Sequence, residues 1–147
     1  MQSNSATSAP IVKEVVLNAP IEKVWKALTD KEEMKKWYFD IADFKPEVGF
    51  TFSFFGEKDG RKFIHICTIQ EVEINKKLGY TWTYEGIKGE TIVHFQLFPE
   101  GNQTRLRLTH EGLENLPQNE DYVNSNFEEG WNYIIGTSIK NYIASNE

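Results

Sequence analysis

Apolar and polar residues change their spacing along the chain, and each change marks an element. IVKEVVLN at 11–18 is rich in β-branched residues and predicts a strand. Ile21, Val24, Trp25 and Leu28 then recur at helical spacing behind Pro20, whose missing N–H is harmless in a first turn, with Glu22 near the positive end of the helix dipole. Asp30 followed by Glu33 predicts a reciprocal cap opening a second short helix that carries Met34 and Trp37. From about residue 40 the period becomes two. Phe50, Phe52 and Phe54 oppose Thr51, Ser53 and Phe55; Phe63, His65, Cys67 and Ile69 oppose Ile64, Ile66 and Thr68. Tyr80, Trp82 and Tyr84 oppose Thr81 and Thr83; Val93, Phe95 and Leu97 oppose Ile92, His94, Gln96 and Phe98; Leu106 and Leu108 oppose Arg105, Arg107 and Thr109. Short turns such as GEKDG and PEGNQ join these runs, which implies an antiparallel meander and not a βαβ repeat. After a loop at 111–120, Phe127, Trp131, Ile134, Ile135, Ser138, Ile139 and Tyr142 describe the apolar face of a long helix. About 20 helical residues span roughly 30 Å, enough to cross the sheet.

The 147 residues are enough for one core, so the expected organisation is a disordered tail at 1–10 and a single domain at 11–147. Sixteen Lys and Arg against 22 Asp and Glu give a net charge of -6, which argues against a nucleic-acid or anionic-membrane partner. No run approaches 18 apolar residues and no basic, then apolar leader opens the chain, so a cytoplasmic protein is expected. Cys67 stands alone, which excludes an intrachain disulfide and a cysteine cluster and fits a reducing compartment.

Trp25, Trp37, Phe50, Phe52, Tyr80, Trp82, Tyr84 and Trp131, with His65 and Ile135, can line an apolar ligand cavity or simply fill the interior between sheet and helix. His65 shares its strand face with Phe63, Cys67 and Ile69, so it is either a cavity acid or base or a hydrogen-bonded structural residue. His94 reads as outward-facing, and His110 as a structural or solvent contact. The three histidines form no metal-binding pattern, so neither metal nor cofactor is expected. Cys67 reads as a small buried thiol, and the carboxylates of Asp40, Asp43, Glu71, Glu73, Glu85 and Glu90 as solvated. With no GxSxG context and no Gly-rich phosphate loop, no catalytic residue is assigned. Gly130 and Gly136 each cost a helix about 1 kcal/mol, and either make room for a ligand beside Trp131 or permit close approach to the sheet.

APIEKVWKALTD at 19–30, MKKWYFD at 34–40, VGFTFSF at 48–54, LGYTWTYEG at 78–86, TRLRLTHEG at 104–112 and EEGWNYIIGTSIKNYI at 128–143, in that order, resemble the AHSA1-like family. That family is named for the activator of Hsp90 ATPase and belongs to the START-like (SRPBCC, Bet v 1-like) helix-grip superfamily. The resemblance implies an α+β helix-grip fold: a curved antiparallel sheet of about seven strands wrapped around a long C-terminal helix, with two short helices after the first strand. Its family markers fall on Trp25, Trp37, Tyr80, Trp82, Gly130 and Trp131, while Lys31 replaces the proline that often follows TD. A second domain of the kind Hsp90 activators use is not expected. The leading expectation is a small-molecule-binding START-like domain, non-enzymatic, with an aromatic-lined cavity for an apolar or aromatic molecule. Two alternatives stand beside it, an Hsp90-type chaperone-associated stress-response protein and an enzyme acting on an aromatic or polyketide-like ligand. The chain is expected to be a monomer or a homodimer, with the first strand offering a free edge.

Overall fold

The computed structural model describes residues 10–58, 60–117 and 124–145. The tail expected at 1–10 therefore lies outside the described residues except for Pro10, as does the start of the terminal helix expected at Asp121. Strand β1 (Ile11–Leu17) leads into α1 (Ile21–Thr29) and α2 (Lys31–Trp37). Five strands follow: β2 (Thr51–Lys58), β3 (Arg61–Glu73), β4 (Lys77–Tyr84), β5 (Thr91–Glu100) and β6 (Gln103–Glu111). The terminal helix is built from α3 (Asn124–Tyr133), a π-helical turn (Ile134–Ser138) and α4 (Ile139–Ser145).

Asp30 ends α1 and begins α2, its Oδ1 accepting from the backbone N–H of Glu32 at 2.9 Å and of Glu33 at 3.4 Å. The cap is not reciprocal. The Glu33 carboxylate instead accepts from the Tyr142 hydroxyl at 2.9 Å, so it ties α2 to α4. Ser138 Oγ donates to the Trp37 carbonyl at 2.6 Å, and Trp37 Nε1–H to the Ala27 carbonyl at 2.8 Å. These bonds lock α1, α2 and the terminal helix into one layer against the sheet, and the Lys13–Glu128 ion pair (2.9 Å) joins β1 to α3.

All strand pairings are antiparallel, in the order β1-β6-β5-β4-β3-β2. Alternation sorts the sheet as the period of two requires: Phe52, Phe54, Cys67, Ile69, Tyr80, Trp82, Val93, Phe95, Leu106 and Leu108 are buried, while Phe55 on the opposite face is 63% exposed. On the terminal helix Trp131, Ile135, Ile139 and Ile143 are buried at a spacing of four. In a helix of 3.6 residues per turn such a stripe drifts by about 40° per step. The wider π turn at Ile134–Ser138 absorbs part of that drift and keeps all four side chains on the sheet.

The curved sheet of about seven strands wrapped around the terminal helix is not what forms. Among the described residues the sheet has six strands, with β1 and β2 as its two edges, and is neither closed nor strongly curled. The meander contributes five strands because 41–50 carries none: Pro46 lacks a donor and Gly49 has φ 95°, so the segment crosses as a loop pinned by buried Ile41 and Phe44. Among the described residues the strand pairings show one register irregularity, between Ile69 and Glu71, and not the series of bulges that would bend the sheet around a helix. No helix among the described residues is long and apolar enough to cross a membrane.

Candidate functional site

Between the buried face of β2–β4 and helix α3 lies a cleft of about 260 Å³. Its sheet side consists of Gly56 and Glu57 on β2, Phe63 and His65 on β3, and Trp82 and Tyr84 on β4. Phe39, just after α2, closes one end, and Asn126, Phe127, Gly130, Trp131 and Ile134 supply the helical wall. Rings dominate because β3 and β4 place aromatics at alternate positions on one face while α3 repeats its lining residues at helical spacing. His65 stacks on Phe54 with centroids 4.5 Å apart and an interplanar angle of 11°, and Trp82 meets it edge-on at 4.9 Å.

His65 sits where a side chain on β2 is missing. A Cβ on Gly56 would come 2.6 Å from His65 Cε1. The imidazole contacts the Phe63 carbonyl through Nδ1 at 3.1 Å, and burial lowers its pKa to about 4 despite the backbone of Phe63 and Phe54, which favours the charged form. The ring is therefore neutral at neutral pH. Gly56→Ala is expected to cost about 1–3 kcal/mol in urea unfolding, because Phe54 and Tyr84 hold the His65 ring in place. An unchanged midpoint would show that the ring can move aside.

Beneath the cleft runs a hydrogen-bonded chain. Thr91 Oγ1 donates to the Trp82 carbonyl (2.7 Å), so it accepts from His110 Nε2–H (2.8 Å), which leaves His110 Nδ1 to accept from Trp131 Nε1–H (3.0 Å). His110 is fully buried, and burial lowers its pKa to about 3. The residue read as a structural or solvent contact is thus an internal latch between β6 and α3. A second pair, the hydroxyls of half-buried Tyr38 and buried Tyr80 at 2.6 Å, packs nearby, and desolvation raises the pKa of both phenols. Cys67 has no exposure, and burial pushes its thiol well above the usual range, away from nucleophilic chemistry.

Residues 18–144 match the family model described as Activator of Hsp90 ATPase homolog 1-like protein. The chain belongs to that family. Solved structures of the same fold include a protein from Mesorhizobium loti, 26% identical with a TM-score of 0.77, over 95% of this chain and 99% of that one. The solution structure of the Aha1 dimer from Colwellia psychrerythraea is 24% identical, with a TM-score of 0.70 over 92% and 96% of the two chains. DynU16, from the dynemicin biosynthetic locus, is 19% identical with a TM-score of 0.77 over 95% of this chain, which spans about half its length at 49%. No curated protein matches the chain.

In this AHSA1-like chain a buried aromatic cluster suited to apolar contact lies between sheet and helix. Of the residues read as cavity candidates, His65, Trp82, Tyr84 and Trp131 meet at the cleft. Trp25, Trp37, Phe52, Tyr80 and Ile135 are buried in the core and do not line it, and Phe50 packs partly buried at the core's margin. Phe39, Gly56, Glu57, Phe63, Asn126, Phe127 and Ile134 complete the lining without having been read as candidates, together with Gly130, one of the two glycines read as making room for a ligand or permitting close approach to the sheet. Phe63 carried a usable signal, since it shares the strand face of His65. Phe127, Gly130, Trp131 and Ile134 carried another in their spacing along one helix face. His94 lies half-buried on the opposite sheet face with its Nδ1 buried and unpartnered, beside the gap left by Gly79. No group of three His, Cys, Asp or Glu able to hold a metal occurs among the described residues.

Proposed function

We propose that this AHSA1-like chain is chaperone-associated, binding an Hsp90-type chaperone directly and changing its rate of ATP turnover. The family match over residues 18–144 carries this reading, and the likeness to the Aha1 dimer adds to it. A cytoplasmic, stress-related role belongs to the same reading. Titrating the chain into a purified Hsp90-type chaperone is expected to give saturable binding by calorimetry and a saturable change in ATP hydrolysis. Absence of both overturns the reading.

A second reading has its own support in the ring-lined cleft, which suits an apolar or aromatic small molecule held mainly by ring faces. Binding there is expected to perturb the fluorescence of Trp82 and Trp131. For the enzyme alternative, His65 shares the cleft with Glu57 and with the Tyr84 ring 4.7 Å away, while its Nδ1 contacts the Phe63 carbonyl. Tyr84 beside it already accepts from Trp82 Nε1–H at 2.9 Å.

A further inference from the structure

Several polar groups of the cleft wall are engaged within the protein, while the His65 Nε2 lone pair has no donor among the described residues. Trp82 Nε1–H donates to the Tyr84 hydroxyl, Trp131 Nε1–H to His110 Nδ1, and His65 Nδ1 meets the Phe63 carbonyl. Tyr84, Phe63 and Asn126 have further interactions, so none is without a partner. Glu57, which also borders the cleft, is exposed to solvent. A charged group pushed to the inner end would lose its water and meet only rings and the neutral imidazole of His65.

Size narrows the guest further. A dry apolar cavity of about 150 Å³ holds one benzene ring. The 260 Å³ of this cleft corresponds to two fused rings. On the helical wall, a Cβ at Gly130 would meet nothing within 4 Å. The fold itself therefore does not require a glycine there, although glycine is a poor residue for a helix interior. Its missing side chain leaves the mouth of the cleft open.

Resting on the cleft-binding reading above, we infer that the cleft takes a two-ring aromatic molecule whose buried end carries no charge, and that Gly130 keeps the entrance clear for it. A polar substituent is tolerated at the outer end, where solvent reaches. Molecules charged at both ends are excluded.

Calorimetric titration of the full chain at pH 7.4 with three probes tests this: 2-naphthol, naphthalene-2,6-dicarboxylate and 2,6-bis(aminomethyl)naphthalene. The expected result is binding of 2-naphthol, with both doubly charged probes at least tenfold weaker whatever their sign, which separates desolvation from attraction to an acidic protein. Gly130→Leu is expected to weaken 2-naphthol at least tenfold with the circular dichroism spectrum unchanged. Gly136→Leu, where a Cβ also meets nothing but lies outside the cleft, is expected to bind like the parent. If Gly130→Leu fails to fold, Ile134→Phe fills the same cleft from the next turn. Charged probes that bind within threefold of 2-naphthol, and are lost in Gly130→Leu, overturn the chemical class and leave the cleft reading standing. Binding of 2-naphthol unaffected by Gly130→Leu or Ile134→Phe overturns the site. No binding by any probe overturns the cleft reading together with this one.

Discussion

Trp131→Ala is expected to destabilise the protein by about 3–5 kcal/mol, a large share of the stability of a domain this size. Trp131 is 2% exposed and touches Trp82, Phe95 and Tyr38 with ring centroids 5.4, 6.2 and 6.3 Å away. Its removal empties the space between helix and sheet and leaves His110 Nδ1 buried without a donor, a further cost of about 1–3 kcal/mol if no water replaces it. Trp131→Phe separates the two effects, since it keeps most of the ring and deletes only the N–H. Urea unfolding should place the Phe variant between parent and Ala variant. A loss under about 1 kcal/mol for Trp131→Ala would mean that other contacts hold α3 in place.

Between pH 6.5 and 4.5 the protein is expected to lose about 4 kcal/mol of stability through His65 and His110 together. Their ordinary pKa of 6.5 falls to about 4 and about 3 in the native state, in each case chiefly through burial. Well above pH 6.5 both rings are neutral folded or unfolded, and neither makes stability depend on pH. As the pH falls below 6.5 the unfolded chain binds two protons that the native chain refuses, so unfolding gains about 1.4 kcal/mol per pH unit for each histidine. The penalty stops growing only below the native values. An exposed carboxylate such as Glu14, held below its ordinary 4.5 first by its hydrogen bond from Arg107, loses that partner only at lower pH. The slope above pH 4.5 therefore reports the histidines. His110→Gln, which can still accept from Trp131 and donate to Thr91, should roughly halve it. Equal urea midpoints at pH 6.5 and 4.5 would contradict the prediction.

Much of this fold was legible because alternation and helical spacing are local. The period of two places Phe52, Phe54, Tyr80 and Trp82 on the buried face without any knowledge of their neighbours. Asp30 was likewise readable as a cap, because its acceptor serves N–H groups two and three residues away. The burial of Trp131, Ile135, Ile139 and Ile143 at intervals of four also stands in the sequence, and with it the reason for a π turn. Strand number was less legible. Ile41 and Phe44 are apolar enough to suggest a strand, but Pro46 and Gly49 make their segment a loop.

The site divides differently. An aromatic-rich interior and the family to which residues 18–144 belong follow from residue types and their order. Which rings fill space and which border a cleft depends on how far apart sheet and helix stand, and that distance is set by contacts remote in sequence. His65 lies over Gly56 because β2 and β3 pair in one register, and Trp131 reaches His110 across 21 residues. Local pattern determined the faces of each element. Only tertiary packing decided that His110 is an internal latch, that the sheet stays open, and that Gly130 borders empty space, because each depends on the distance between surfaces that the chain brings together after folding.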